Sequence, residues 1–357
     1  MRITRIDCRI HRSGFTYGAG AGATGGNLAL RSIETLLVRV ETEDGLHGWG
    51  EGFGFTLAET TRSAVERLLA PACIGEDSRD IAGIGRRLRR KFHNFGRNGP
   101  VTFGVSAIDI ALWDIAGRRA GRPLHALLGD GGRTAVPAYA SLLRYGAADA
   151  VARNVAEALR RGYQAIKLHE VDQGCIRAAR AAMPEAMPLM LDINCAFDAV
   201  PDALAFCRAV APFRPHWIEE PLWPPEAHGA MTALRREAGC AIAAGENCGG
   251  VEDAQSLVAT GGVDVIQPSA TKHGGVTALL AVAEHARRAG LRCAPHTPYL
   301  GPGLLATLHV LAAQPEAERI EIYFVDADEP PHGGALIPVD GILAVPDGPG
   351  LGLEPVG

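Results

Sequence analysis

The sequence predicts an α/β protein, a (β/α)8 barrel of the TIM type preceded by a smaller α+β cap, and three observations carry that expectation. Its 357 residues exceed the roughly 250 that one such barrel takes. From residue 135 onward, short apolar segments alternate with helical patterns eight times over, which demands a parallel sheet. Polar residues at the ends of those segments recur at a near-constant interval, one per strand–helix unit.

The first part reads as strands followed by helices. Residues 2–11 and 33–42 have strand patterns, and GLHGWGE at 45–51 returns from the second in a hairpin. Helices are predicted over 57–72, 79–94 and 105–121, where apolar residues fall three and four apart. This cap spans 1–130 and ends near the turn GDGG at 129–132. The barrel spans 131–330, with strands at 135–141, 164–170, 188–194, 216–221, 241–247, 263–269, 292–297 and 319–324. Helices lie between them, as over 147–162, 202–213 and 275–290. The last segment, 331–357, leaves the barrel and packs back on the cap.

Composition narrows the function. With 47% hydrophobic and 21% charged residues the chain can bury a large core. A net charge of −5 gives no reason to expect nucleic acid or an anionic membrane as partner, so a small molecule is expected. The N-terminus lacks a signal-peptide pattern and no run reaches about 20 apolar residues, so a cytoplasmic protein is expected. The eight cysteines show no CxxC and no zinc-type spacing, and most of them read as small buried hydrophobes. Only Lys91, Lys167 and Lys272 are lysines among the 35 basic residues, which singles them out as groups able to give up a proton.

The strand-end residues are Lys167, Asp192, Glu219, Glu246, Ser269, His296 and Glu321, at intervals of 25, 27, 27, 23, 27 and 25 residues. Neighbouring barrel strands bring such side chains to one mouth. Asp192, Glu219 and Glu246 fall on the third to fifth strands, where three carboxylates repel unless a cation compensates them. All-oxygen ligation favours Mg²⁺ and also admits Mn²⁺. In WIEEP, 217–221, Glu219 points inward to the metal, while Glu220 supports it from behind or pairs outside. Asn194 and Asn247 stand beside Asp192 and Glu246 as hydrogen-bonding groups.

Lys167 and His169 share the inward face of the second strand, and His296 approaches from the seventh. A metal that holds a carboxylate substrate, with bases on opposite faces, suits removal of the α-proton. The metal stabilises the enediolate charge and Lys or His takes the proton. His47, His93, His125, His285 and His309 read as structural. A formal GxGxxG at Gly20, Gly22 and Gly25 precedes a strand and not a helix, so a mobile lid is expected there and not a dinucleotide site. Tyr17, Phe53 and Phe55 either shape substrate selection or pack the domain interface; Tyr17 is taken as a substrate contact.

The motifs LDIN, WIEEP, GEN, QPSATKHGG and APHT, in that order, resemble the mandelate racemase and muconate-lactonizing branch of the enolase superfamily. SAIDIALWDIAGRRAGRPLHALLG is similar to the third cap helix of that family and its exit, so the resemblance runs over essentially the whole chain. It implies Mg²⁺ on Asp192, Glu219 and Glu246, a Lys-x-Lys-like pair on the second strand, a base on the sixth or seventh, and α-proton removal from carboxylates. It also implies a homo-oligomer.

Two departures stand out. Lys167-Leu168-His169 puts histidine where the family often has a second lysine. Ser269 stands where racemase-like members have the Asp that orients the seventh-strand His, and lactonizing members have a Lys. His296 is then a weaker base or takes another partner, and Ser269 is read as facing substrate. Lys272 matches a common family lysine and is read, with Glu220 and Asn247, as supporting the metal ligands. Glu321 resembles the residue that hydrogen-bonds the substrate carboxylate. Dehydration of an acid sugar to a 2-keto-3-deoxy acid is the expected reaction, with His296 protonating the departing β-hydroxyl. Racemisation or epimerisation comes second and cycloisomerisation third. A metal-binding barrel without catalysis is the contrasting alternative.

Overall fold

The computed structural model describes residues 1–16, 32–129, 132–314 and 318–356. Tyr17 and the glycines at 20, 22 and 25 lie outside the described residues.

Alternating β-branched and charged residues build the first sheet. Strand β1 (Ile3–Thr16) pairs antiparallel with β2 (Ser32–Thr42), which pairs with β3 (His47–Gly52). Against it pack α1 (Ala58–Ala64), α2 (Ala70–Cys73) and α4 (Pro100–Ala120), while α3 (Ile81–Lys91) and the short α5 (Leu124–Leu128) pack on α4. The single helix expected over 57–72 is interrupted by a π-helical turn at Val65–Leu69, which separates α1 from α2. The GWG of the hairpin has a packing reason: a Cβ at Gly50 would lie 1.8 Å from the carbonyl oxygen of Ala107, so the glycines let α4 lie directly on β3. Helix α4 is apolar and long enough to cross a membrane by length and composition, yet 78% of its most apolar window is buried inside the protein. It is the spine of the cap core, with Ile108, Leu112 and Ile115 against Leu36, Val38 and Val40.

The barrel follows in strict alternation: β4 (Ala135–Ser141), α6 (Ala148–Arg160), β5 (Ile166–Leu168), α7 (Gln173–Ala182), β6 (Leu189–Asp192), α8 (Val200–Val210), β7 (Trp217–Glu219), α9 (His228–Glu237), β8 (Ile242–Ala244), α10 (Val251–Ala259), β9 (Val265–Ile266), α11 (Gly275–Arg288), β10 (Arg292–Cys293), α12 (Pro302–Ala312) and β11 (Ile320–Tyr323). All eight strands are parallel, and the last, β11, pairs with the first, β4. No ladder bonds join β10 to β11 among the described residues. The strand expected over 292–297 is only two residues long, because Pro295 has no N–H to give the ladder.

The chain then returns to the cap ahead of residue 331, where β12 (Asp326–Ala327) pairs with β1. The terminal segment serves both layers. Its β13 (Ile342–Ala344) runs antiparallel to β4, and further on Glu354 binds Trp49 and Arg118 of the cap.

Cap and barrel are tied together at the helices that follow β9 and β10. Asp109 of α4 accepts from the Thr277 N–H at 3.0 Å, and the Ser106 hydroxyl accepts from the Gly274 N–H at 2.8 Å, both at the start of α11. Glu51 of β3 accepts from the Gly303 N–H at 2.8 Å at the start of α12. The cap therefore caps two barrel helices in trans.

Candidate active site

Side chains on a barrel strand alternate between lumen and outer layer, so lumen residues stand two apart. A lower lumen layer is apolar: Tyr139, Ala165, Met190, Trp217, Ala243, Val265 and Ala294 form one cluster. Two residues further along, five of these segments carry Ser141, Lys167, Asp192, Glu219 and His296. The change from apolar to ionisable occurs in one step of the pleat, at the C-terminal ends of the strands.

One ligand atom from each of Asp192, Glu219 and Glu246 lies within 4.8 Å of the others, close enough to share a cation. Asp192 and Glu219 are cross-strand partners in the β6–β7 ladder. Glu246 follows Gly245, whose φ of +137° bends the chain after β8 so that the carboxylate turns over the mouth.

Lys167 is fully buried beneath them. Its Nζ lies 3.2 Å from Asp192, 2.9 Å from Glu219 and 2.8 Å from Glu321. Burial opposes its charge, but Glu219, Glu321 and Asp192 outweigh that and hold its pKa well above the usual lysine value. Two imidazoles flank the cluster. His169 Nε2 is 3.1 Å from Asp192 and its Nδ1 meets the carbonyl of Leu142; His296 Nε2 is 2.9 Å from Glu246 and its Nδ1 is 3.1 Å from the Tyr299 hydroxyl. Burial lowers the His169 pKa, and the Asp192 charge more than reverses this, so the net shift is upward.

The carboxylates divide by partner. Burial raises all of them, but Lys167 and His169 outweigh it at Asp192, and His296 and Lys272 at Glu246, so both are held well below the usual range. Glu321 is lowered too, by Lys167 and His296 against burial. Glu219 is raised by burial, against Lys167, to about 8, with the neighbouring Asp192 charge adding to the rise. Glu220 goes well above the usual range, through burial and then the Glu246 and Asp192 charges. A cluster that pushes protons onto two of its acids and draws amine and imidazole groups onto the rest is short of positive charge, and an all-oxygen donor set of this kind fits a hard divalent ion.

The remaining predicted residues fall around this centre. Asn194, at φ +46°, donates through its amide nitrogen to Asp192 at 2.9 Å. Glu220 is also at positive φ, so both acids of WIEEP end up inside, and Glu220 accepts from Asn247 at 2.8 Å. Lys272 donates to Asn247 at 2.9 Å and lies 3.6 Å from Glu246. Glu321 is bound by Lys167 and by the Thr297 N–H at 2.8 Å. Ser269 departs from expectation: its hydroxyl bonds to Tyr299 and does not line the cavity, because the chain after β9 turns it behind His296.

Above the cluster opens a cavity of about 750 Å³. Phe53 and Phe55 of the cap form part of its wall, together with polar groups from Asn194, Asp198 and Asn247. The Ser141 hydroxyl, buried and without a hydrogen-bond partner among the described residues, also faces it. Sequence reasoning missed Ser141 and Tyr299, and also Arg144, whose guanidinium donates to the His169 carbonyl at 2.5 Å and steadies that histidine's backbone. A tyrosine three residues past the seventh-strand histidine was the available signal for Tyr299.

Parallel barrels that gather carboxylates and bases at the C-terminal mouth are enzymes whose chemistry occurs there, here with a donor set suited to a metal ion. The chain belongs to the mandelate racemase/muconate lactonizing enzyme family of the enolase superfamily. Residues 28–129 match the family described as "Mandelate racemase / muconate lactonizing enzyme, N-terminal domain", and residues 150–356 match "Enolase C-terminal domain-like". It is 32% identical to the D-galactarolactone cycloisomerase of Agrobacterium fabrum, over 89% of this chain and 88% of that one. Its structure is similar to a racemase from Streptomyces coelicolor A3(2) with bound magnesium, with a TM-score of 0.87 at 28% identity, covering 99% and 97% of the two chains. It is also similar to the L-talarate dehydratase from Polaromonas sp. JS666 complexed with Mg and L-glucarate, with a TM-score of 0.80 at 30% identity, covering 100% and 95%.

Proposed function

We propose that this protein is a Mg²⁺-dependent acid-sugar dehydratase that converts a polyhydroxy carboxylate to its 2-keto-3-deoxy acid. The observation that carries the reading is the pair of imidazole Nε2 atoms, on His169 and His296, set against a carboxylate cluster at the floor of a polar cavity. Asp192, Glu219 and Glu246 would hold the ion, for which Mn²⁺ has the same oxygen-donor chemistry. When bound, Mg²⁺ supplies positive charge against the negative charge that proton removal leaves on the substrate.

The chain's own groups do the rest. An imidazole takes the α-proton as the Cα–H bond breaks. His296, protonated, passes its Nε2 proton to the β-hydroxyl oxygen as the Cβ–O bond breaks, water leaves, and the enol product becomes the keto acid. Lys167 is beneath the carboxylates and does not line the cavity, so it serves as their counter-charge more readily than as a proton acceptor. Asn194, Asn247 and Ser141 offer hydrogen bonds to substrate hydroxyls, and the cavity volume is that of a small-molecule site. The placement of an imidazole on each side of the cluster favours racemisation or epimerisation as the second reading. The similarity to a cycloisomerase keeps that reaction third.

The test is a screen of a stereochemically complete acid-sugar library with Mg²⁺ in D₂O, followed by NMR. Keto product that disappears in Glu219→Gln establishes the dehydratase. Deuteration with inversion and no keto product moves the assignment to an epimerase. Neither signal from any acid favours a barrel that binds metal without catalysis.

A further inference from the structure

In the absence of a sixth-strand carboxylate, His296 has a different partner. Its Nδ1 lies 3.1 Å from the Tyr299 hydroxyl, and that hydroxyl is in turn hydrogen-bonded to the hydroxyl of Ser269, the residue standing where an Asp was expected. We propose that Tyr299 is the positioning residue for His296, and that Tyr299 and Ser269 form a neutral hydroxyl relay in place of a carboxylate. The proposal rests on the reading of His296 as the group that hands a proton to the leaving hydroxyl.

The arrangement is built and not incidental. Tyr299 is 3% exposed, and its ring meets His296 edge-on at 5.8 Å and Phe53 of the cap at 6.3 Å. The loop that carries it is pinned by Thr297, whose N–H and hydroxyl donate to Glu321 at 2.8 and 2.7 Å. Ser269 is fixed as well, since its N–H donates to His273 Nδ1 at 2.8 Å. Burial keeps the Tyr299 hydroxyl protonated, and it remains both a donor and an acceptor.

That dual capacity is the functional difference from a carboxylate. An ionised Asp only accepts, so it fixes the proton on Nδ1 and stabilises the imidazolium by charge. Two hydroxyls in series can turn together, and so satisfy Nδ1 whether it carries a proton or not. The ring is held in one place, with Nε2 toward the mouth. No carboxylate stands at Nδ1, and the one that the ring meets, Glu246, lies on the Nε2 side at 2.9 Å.

The experiment uses ¹⁵N-histidine-labelled, Mg²⁺-loaded protein, with the His296 signals assigned by their loss in His296→Asn. Tyr299→Phe keeps the ring packing and removes the hydroxyl; Ser269→Ala keeps Tyr299 and removes its support, and replaces the first variant if that one does not fold. The expected result is a displaced Nδ1 resonance of His296 in Tyr299→Phe, a fall in kcat of about 10–100-fold, and KM changed less than about threefold. Ser269→Ala shifts the same resonance and lowers kcat by about 3–10-fold. An Nδ1 resonance that does not move, with kcat within about twofold of wild type, overturns the proposal while leaving a dehydratase intact. If instead no acid sugar is turned over by the wild type, the functional reading fails, and the resonance alone decides whether Tyr299 holds the ring.

Discussion

Glu51 and Asp109, buried where the cap meets the barrel, accept hydrogen bonds from backbone N–H groups at helix starts, whereas Asp192, Glu219 and Glu246, at the mouth, face side-chain cations and one another. Glu51 and Asp109 are closed off by the cap, whereas Asp192 and Glu246 line the cavity and Glu246 is partly exposed to it. At the interface the donors belong to the main chain and cannot leave without unfolding a helix end. At the mouth, beside the Asn194 N–H on Asp192 and the Trp217 indole on Glu219, they are the tips of Lys167, His169, His296 and Lys272, which rotate. The same residue type is therefore frame in one place and an exchangeable site in the other. What distinguishes the two is whether a cation can displace the partner.

The largest effect that this difference predicts is at the mouth. Asp192→Asn and Glu246→Gln each remove a ligand charge, and turnover is expected to fall by at least ~10³-fold with Mg²⁺ affinity. Thermal stability without metal should fall, since each variant leaves buried cationic partners, Lys167 and His169 or His296 and Lys272, without their carboxylate. Turnover and Mg²⁺ affinity left unchanged by both variants would erase the proposed contrast. Next in size is Lys167→Met. It strips the counter-charge from Asp192, Glu219 and Glu321 together, and should destabilise the metal-free protein by about 3–5 kcal/mol in urea unfolding. Saturating Mg²⁺ should recover part of that loss, because the ion binds only the folded state.

How far these sites were legible follows from the same contrast. Asp192, Glu219 and Glu246 could be read because barrel repetition fixes one strand end per unit, and a single interval then locates all three. The pair at β6 and β7 even shares a rung of the ladder. The fold was legible for the same reason, down to the order of the elements. Lys167 was found, but not its triple pairing, because Glu321 reaches it from β11 across β4, and that proximity exists only once the sheet curls. Glu220 was placed only loosely, since alternation predicts opposite faces and the strand ends at Glu219, after which a left-handed residue turns the chain back inward. Tyr299 escaped because its bond to Ser269 joins two loops with no shared periodicity. The interface acids escaped too: nothing local marks Glu51 as the cap of a helix 250 residues away.

The smallest effect and the finest test of the contrast is at Glu51. Burial raises its carboxyl from the ordinary 4.5 to about 8, against the pull of the Gly303 and Gly301 N–H groups. Asp109 is raised in the same way, to about 7. The folded protein thus keeps a proton on Glu51 that the unfolded chain releases near pH 4.5. The stability from that difference is whole below pH 4.5 and is lost as pH rises through about 8. Between pH 5 and 9, wild type should therefore lose on the order of 1–3 kcal/mol more than Glu51→Gln, whose side chain has no proton to lose. Urea unfolding of the two proteins across that range measures the slope directly. A shared slope would mean that Glu51 stays ionised on its amide cradle. The interface acid would then be an anion like Asp192 and Glu246 at the mouth, and would differ from them only in which donors it holds.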